Sequence, residues 1–209
     1  MRIVVFGATG ATGTNVVERA LALGYEVVAV ARQPERIKRR EHLTPRKGDV
    51  LDSSSLDDAC RGADALISCI GPAKNLSPGT VMSEGVVNMI AACRRVNVRR
   101  FVLQSGITLS DGGELTVLNR YVLRALRPIF AKAINDKAIA EHALVGSDLD
   151  WVIVRPVGLR NAPATSKYTA GPNARIAPLR PLPFADCADC LVRAATEPSW
   201  VRQIINVGR

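Results

Sequence analysis

The chain reads as an α/β protein: one doubly wound parallel sheet with helices on both faces. Three observations predict it. Short runs rich in Val and Ile alternate with segments of helical period. The first run passes straight into the glycine stretch "GATGATG". Of the 209 residues, 47% are hydrophobic but only 4% aromatic. Strands buried on both faces give continuous apolar runs of this kind, and a chain of this length can bury a substantial aliphatic core without a second domain. A single domain over residues 1–209 is therefore expected.

The predicted strands are "RIVVF" (2–6), "EVVAVA" (26–31), "ADALISCI" (63–70), "RRFVLQS" (99–105), "LDWVIVR" (149–155) and "QIINV" (203–207). Between the first two, Val16, Val17, Ala20, Leu21 and Leu23 share a helical face that stops at Gly24. A second helix is expected after Ser77-Pro78, where Met82, Val86, Met89, Ile90 and Cys93 repeat the same spacing. Residues 106–118 and 158–183 are the least regular. The latter holds Pro163, Pro172, Pro178, Pro181 and Pro183, and loops of that length in a compact domain are usually functional. The stretch "NRYVLRALRPIFAKAIN", with Tyr121, Phe130 and Lys132, fits a lid, a subunit contact or an ordinary amphipathic helix.

Composition excludes several classes. The N-terminal apolar run is broken by glycines and then by Glu18 and Arg19, so it fits neither a signal peptide nor a membrane span, and a cytoplasmic protein is expected. Five cysteines are an odd number and read as reduced, packed thiols. Cys187 and Cys190 form a C-x-x-C with no second pair nearby, and two core-facing helix residues account for them better than a metal does. The net charge of +9 raises nucleic acid as a partner. However, the patch from Arg32 to Lys47, which includes Arg36, Lys38, Arg39, Arg40 and Arg46, lacks interleaved aromatics for bases to stack on. A small anionic ligand explains it as well.

The glycines of "GATGATG" suggest which anion. A glycine turn between a strand and a helix lets the backbone approach a pyrophosphate, to which the helix N-terminus offers free N–H groups and a positive dipole end. The alternative is a tight turn with nothing bound. At the end of the second strand an acidic residue would select NAD, whereas Arg32 suits the 2′-phosphate of NADP, with Arg36 close enough to assist. "GDVLD" sets Asp49 and Val50 at the next strand end, where they could flank an adenine, and "SCIG" ends the fourth strand with Gly71 under the cofactor path. A Rossmann-type fold holding NADPH is the resulting expectation.

"GATGATG", "GDVLD", "NLSPGTVMSEG" and "LDWVIVRP" together resemble the NmrA-like, NAD(P)H-binding branch of the atypical short-chain dehydrogenase/reductases, most closely its biliverdin-IX-beta reductase, or flavin reductase, group. The resemblance implies NADPH as hydride donor and a flavin, quinone or similar planar acceptor. It implies cofactor contacts at Gly7, Thr9, Gly10, Ala11, Thr12 and Gly13 in the turn, then at Arg32 and Arg36. Further contacts are implied at Asp49, Val50, Ile70, Gly71, Lys137 and Pro156. Catalytic roles fall to Ser105 and Lys137, with no metal. Lys137 could hydrogen-bond ribose hydroxyls and stabilise charge on an acceptor. The alternative is a solvated helix lysine paired with Glu141.

Two departures accompany the resemblance. The Tyr-x-x-x-Lys pair is missing, because Ala133 stands four residues before Lys137, and Val157 occupies the place of a histidine expected after "WVIVRP". The acceptor pocket is expected from residues 72–77, about 106–120 and about 158–183, in a monomer or homodimer without membrane contact. A non-catalytic NADPH-binding redox sensor is the alternative reading, and a nucleic-acid-binding derivative of the fold a third.

Overall fold

The computed structural model describes residues 1–71, 79–109, 131–177 and 179–209. The strands are β1 (Arg2–Phe6), β2 (Glu26–Ala31), β3 (Leu43–Lys47), β4 (Ala65–Ser68), β5 (Arg100–Gln104), β6 (Asp150–Pro156), β7 (Leu159–Arg160), β8 (Thr169–Gly171), β9 (Leu182–Pro183) and β10 (Gln203–Gly208). The helices are α1 (Ala11–Ala22), α2 (Asp57–Cys60), α3 (Ser83–Arg95), α4 (Ala131–Val145) and α5 (Phe184–Thr196). The main sheet has the order β3-β2-β1-β4-β5-β6-β10-β8, parallel except for the β10–β8 pair. β7 and β9 form a small parallel pair of their own. This is a Rossmann-type α/β fold, with the strand order reversing between β1 and β4.

The two faces of the sheet bury separate aliphatic clusters. On one, α1 and α5 pack together, with Val16, Ala20 and Leu191 against Val5, Ile67 and Val152. On the other, α3 and α4 cover Val4, Leu66 and Ile153 with Val86, Met89 and Leu144. Ile3, Val4 and Val5 of β1 have no exposure, which is the reason their run is continuous and not alternating. Burying each such side chain contributes about 1.5–3 kcal/mol. Cys187 and Cys190 are both fully buried on α5, and burial pushes the Cys190 thiol up to about 12, so they pack as small hydrophobes.

β1 and β2 match the predicted runs residue for residue, while β4 is confined to the middle of its run. A strand ending near Asp49 was expected and β3 ends at Lys47, but its residues were not among the predicted apolar runs, because "LTPRK" is polar and contains Pro45. The fold accepts Pro45 through its position. The His42 carbonyl accepts from Val27 and the Gly48 N–H donates to Ala31, so by alternation Thr44 and Arg46 face β2 and Pro45 faces outward at the sheet edge. α3 begins at Ser83, later than the helix start read at Ser77-Pro78, and those two residues lie outside the described ones. β7, β8 and β9 fall inside a stretch read as irregular, being too short to show a period. Among the described residues no helix is long and apolar enough to cross a membrane.

Candidate functional site

A cleft of about 460 Å³ opens above the carboxyl ends of β1, β2 and β4, at the point where the strand order reverses. Its floor comes from the first strand-to-helix turn. Gly7 has φ +74, and a Cβ there would come within 2.8 Å of the Cys69 carbonyl oxygen. A Cβ on Gly13 would lie 2.0 Å from the Gly7 oxygen. Both glycines are therefore required by the packing of the turn against β4 and α1, whether or not a ligand is present. Gly10 differs: its Cβ would only approach the Gly7 oxygen to 3.2 Å, and it faces the cleft together with Gly7 and Thr9. Gly10 is also the N-cap of α1 and provides no side-chain hydrogen bond to it, so the first turn presents its N–H groups outward. Within that turn Ala11 is exposed and Thr12 and Gly13 are buried, and none of the three is among the residues lining the cleft.

The remaining predicted cofactor residues divide. Arg32, directly after β2, lines the cleft and is exposed. Arg36 lies in the one-turn helix Pro34–Arg36, where its Nη1 reaches the Gln33 side chain at 3.4 Å, and it does not line the cleft. Asp49 and Val50 form one wall. The Asp49 carboxylate accepts from the Leu51 N–H at 3.1 Å, and the Val50 carbonyl accepts from the Asn88 side chain of α3 at 2.8 Å. Val50 presses so closely on α3 that a Cβ at Gly85 would meet its methyl at 2.9 Å. Ile70 and Gly71 complete the wall after β4. Pro156 is buried at the end of β6, away from the cleft lining.

A second region adjoins this cleft where β5, β6 and β10 end beneath α4. Arg155 and Glu141 form a largely buried bidentate ion pair, with Nε to Oε1 at 3.1 Å and Nη2 to Oε2 at 2.5 Å. This pair occupies Glu141, so the surface pairing considered for Lys137 is not what the structure shows. Lys137 instead points back to the end of β5, where a Cβ at Gly106 would lie 3.2 Å from its Nζ. Burial pushes the Lys137 ammonium below its ordinary value, against the opposing pull of the Glu141 and Asp136 carboxylates.

Ser105 is next to Gly106, 5% exposed, and its Oγ has no hydrogen-bond partner among the described residues. By strand alternation from Leu103, Ile153 and Ile204, the side chains of Ser105, Arg155 and Asn206 form one polar row on the α4 face. Lys137 and Ser105 are thus brought to one strand end.

Asp136 was missed by the sequence reading, although it belongs to both regions. It is buried, it lines the cleft, and its Oδ2 and Oδ1 accept from the N–H groups of Met82 at 3.1 Å and Ser83 at 2.9 Å. One residue before Lys137, it caps the N-terminus of α3 from a different helix, where a carboxylate also meets the positive end of the helix dipole. Asn88 and Arg155 were missed as well. None carries a local sequence signal, since each partner lies at least 14 residues away.

The family model described as NAD(P)H-binding matches residues 7–198, a span that takes in the turn, both walls of the cleft and the polar row as far as Arg155. The chain belongs to this NAD(P)H-binding family. A chloroplastic protein of Arabidopsis thaliana is 32% identical over 185 residues, covering 82% of this chain and 64% of the relative. The chain spans 28% to 64% of the length of the first curated relatives it matches.

Among solved structures, the anaerobilin reductase ChuY from Escherichia coli O157:H7 superposes with TM-score 0.80 at 25% identity, covering 100% of this chain and 97% of the other. A short-chain dehydrogenase/reductase from Veillonella parvula, solved in complex with NADP, gives TM-score 0.81 at 21% identity, with coverage of 100% and 94%. At that identity the second likeness concerns the fold.

Proposed function

We propose that this NAD(P)H-binding chain is an NADPH-dependent reductase that passes hydride to a flavin, quinone or similar small planar acceptor. The observation that carries the choice of cofactor is Arg32, set directly after β2 on the wall of a cleft whose floor is the glycine turn. A guanidinium there can meet the 2′-phosphate with two parallel charge-assisted hydrogen bonds. The first-turn N–H groups of α1 would take the pyrophosphate, and Asp49 and Val50 would flank the adenine. Arg36 would add less, from an exposed position where salt screens it. The bound nicotinamide supplies the hydride.

The chain's own residues hold and orient. Lys137, in place beside Gly106, would bind the nicotinamide ribose and stabilise negative charge on the acceptor, and the unpartnered Ser105 hydroxyl is the second group at that strand end. Ala133, where the family's tyrosine acid would stand, lines the cleft and offers no proton. An acceptor whose reduced anion is delocalised and can be protonated from solvent suits such a site, and flavins and quinones are of that type. The solved anaerobilin reductase among the structural neighbours supports the kinship with biliverdin and flavin reductases. The acceptor pocket would be completed by residues 106–120, 158–183 and 72–77, of which 72–77, 110–120 and 178 lie outside the described residues.

NADPH consumption with FMN, FAD, dichlorophenolindophenol and simple quinones tests this reading. Turnover with at least one acceptor is expected. The absence of a protein acid at Ala133 favours a second reading, a non-catalytic NADPH-binding sensor, and tight NADPH binding without turnover on any acceptor would decide for it. Cofactor choice has its own test. Wild type should prefer NADPH to NADH by roughly tenfold to a hundredfold, the range one charge-assisted contact gives. Arg32→Asp should erase or reverse that preference while NADH binding is kept. Equal wild-type affinities, or a variant that loses both cofactors alike, would remove Arg32 from the phosphate.

A further inference from the structure

Surface cations with no acid within 4.0 Å are common among the described residues, most of the patch from Arg32 to Lys47 included, so a group of them is set apart only by sharing one cleft. Arg19, Arg61, Arg94, Arg95 and Arg193 each hold an acid within 4.0 Å, as does Arg40. Arg160, Lys167, Arg180 and Arg209 hold none among the described residues, and all four line a single cleft of about 710 Å³. This cleft shares no lining residue with the cofactor cleft. It lies toward the β8–β10 edge of the sheet, and β10 is three strands from β4, on the order of 14 Å at the usual strand spacing.

The frame of this second cleft is pinned. Buried Asp186 of α5 accepts from the N–H groups of Thr165 and Ser166 at 2.9 and 3.0 Å and from the Thr165 hydroxyl, fixing the loop that leads to Lys167. The Tyr168 hydroxyl donates to Asp189 at 2.5 Å, and the same carboxylate takes Arg19 on its other oxygen. The Arg209 carbonyl accepts from Ala177, and the Arg180 N–H returns to the Ala177 carbonyl. Asp186 and Asp189 are thus engaged in holding its walls, and four positive residues line it with no acidic residue among the described lining. Like charges gathered on one concave surface repel each other, and that repulsion is relieved when an anion enters.

We propose that this cleft binds a small soluble polyanion carrying two or more phosphate or carboxylate groups, in a site separate from the NADPH crevice. The cleft is wide and open to solvent, so a ligand there would be held by charge and not by enclosure. A nucleic-acid strand fits less well: the one aromatic ring lining the cleft, Tyr168, has its hydroxyl tied to Asp189, and no series of rings is offered for successive bases. The cleft draws on the stretch 158–183 that the redox reading gives to the acceptor pocket, but it shares no residue with the cofactor cleft, and the inference rests on its own four cations.

Calorimetric titration of inorganic pyrophosphate, and separately of citrate, into the protein carrying one equivalent of NADPH tests it, since the cofactor then occupies the glycine turn without competing for the second cleft. One saturable site is expected for at least one probe, weakening as salt rises. Arg160→Gln/Arg180→Gln should weaken it at least tenfold with the thermal midpoint unchanged. Arg160→Lys/Arg180→Lys should keep part of the affinity, and Arg94→Gln, on a distant ion pair, should leave it unchanged. Four results would overturn the proposal: no saturable binding of either probe, an equal loss in Arg94→Gln, displacement of the probe by the single equivalent of NADPH, or tight binding of anionic vesicles or single-stranded RNA that excess pyrophosphate does not compete away.

Discussion

The glycine-turn cleft and the polar row beneath α4 are neighbours built by opposite means. In the first, main chain does the work: Gly7 and Gly13 let β1, β4 and α1 close on one another, and the surface left for a ligand is N–H groups and a dipole. In the second, side chains from elements far apart in sequence do it, with Glu141 and Arg155 pairing under the helix that carries Lys137. A main-chain site is damaged by adding atoms and a side-chain site by removing them.

The largest effect is expected at Glu141→Ala. It leaves the Arg155 guanidinium enclosed without its partner, a loss of about 3–5 kcal/mol for a buried pair broken on one side. Urea unfolding reads it, and a loss below about 1 kcal/mol would show that solvent reaches Arg155. Gly13→Ala comes next. Its Cβ would sit 2.0 Å from a backbone oxygen that cannot swing away, so about 3 kcal/mol is expected, the upper end of overpacking costs. Gly10→Ala should cost clearly less stability than Gly13→Ala and weaken NADPH binding, and equal destabilisation by the two would erase the distinction between fold glycine and ligand glycine.

Asp136→Ala should cost about 1–2 kcal/mol, the value of a lost N-cap, and should also lower NADPH affinity, because the cap ties the helix of Lys137 to α3 across the cleft. A stability loss with cofactor affinity intact would make it a cap only.

The smallest effect is a pH profile. With its folded value below its unfolded one, Lys137 binds fewer protons in the folded state between the two, so its contribution to stability rises with pH through that window. Binding that uses the ammonium falls over the same range. NADPH affinity should therefore decline on the alkaline side beginning below the ordinary lysine range, and Lys137→Met should flatten that limb. An unchanged limb in the variant would take Lys137 off the cofactor.

The same contrast explains what could be read from the sequence. The positions of the turn and of Arg32 were legible because they are fixed by immediate neighbours: a strand before, a helix after, and a strand end. β1 and β2 were legible because burial on both faces makes the whole run apolar. Asp136, Asn88 and the Glu141–Arg155 pair were not, since their partners are set by cross-sheet register and helix packing, which leave no trace in local spacing. Lys137 was found only through resemblance, and its surroundings differ from the surface pair that its i, i+4 spacing to Glu141 suggested. β3 escaped because edge position, and not hydrophobicity, permits its polar sequence.

Pro45 of that strand also bears on assembly. An incoming strand laid along β3 would find no donor at the middle of the five-residue edge, and its own carbonyl there would go without a hydrogen bond. The sheet cannot be extended on that side by an unbroken ladder. Its other border, β8, is three residues long and already bound to β10 in the antiparallel sense. Two copies meeting on the β3 side would therefore have to join through side chains, helices or loops, leaving the two sheets discontinuous there.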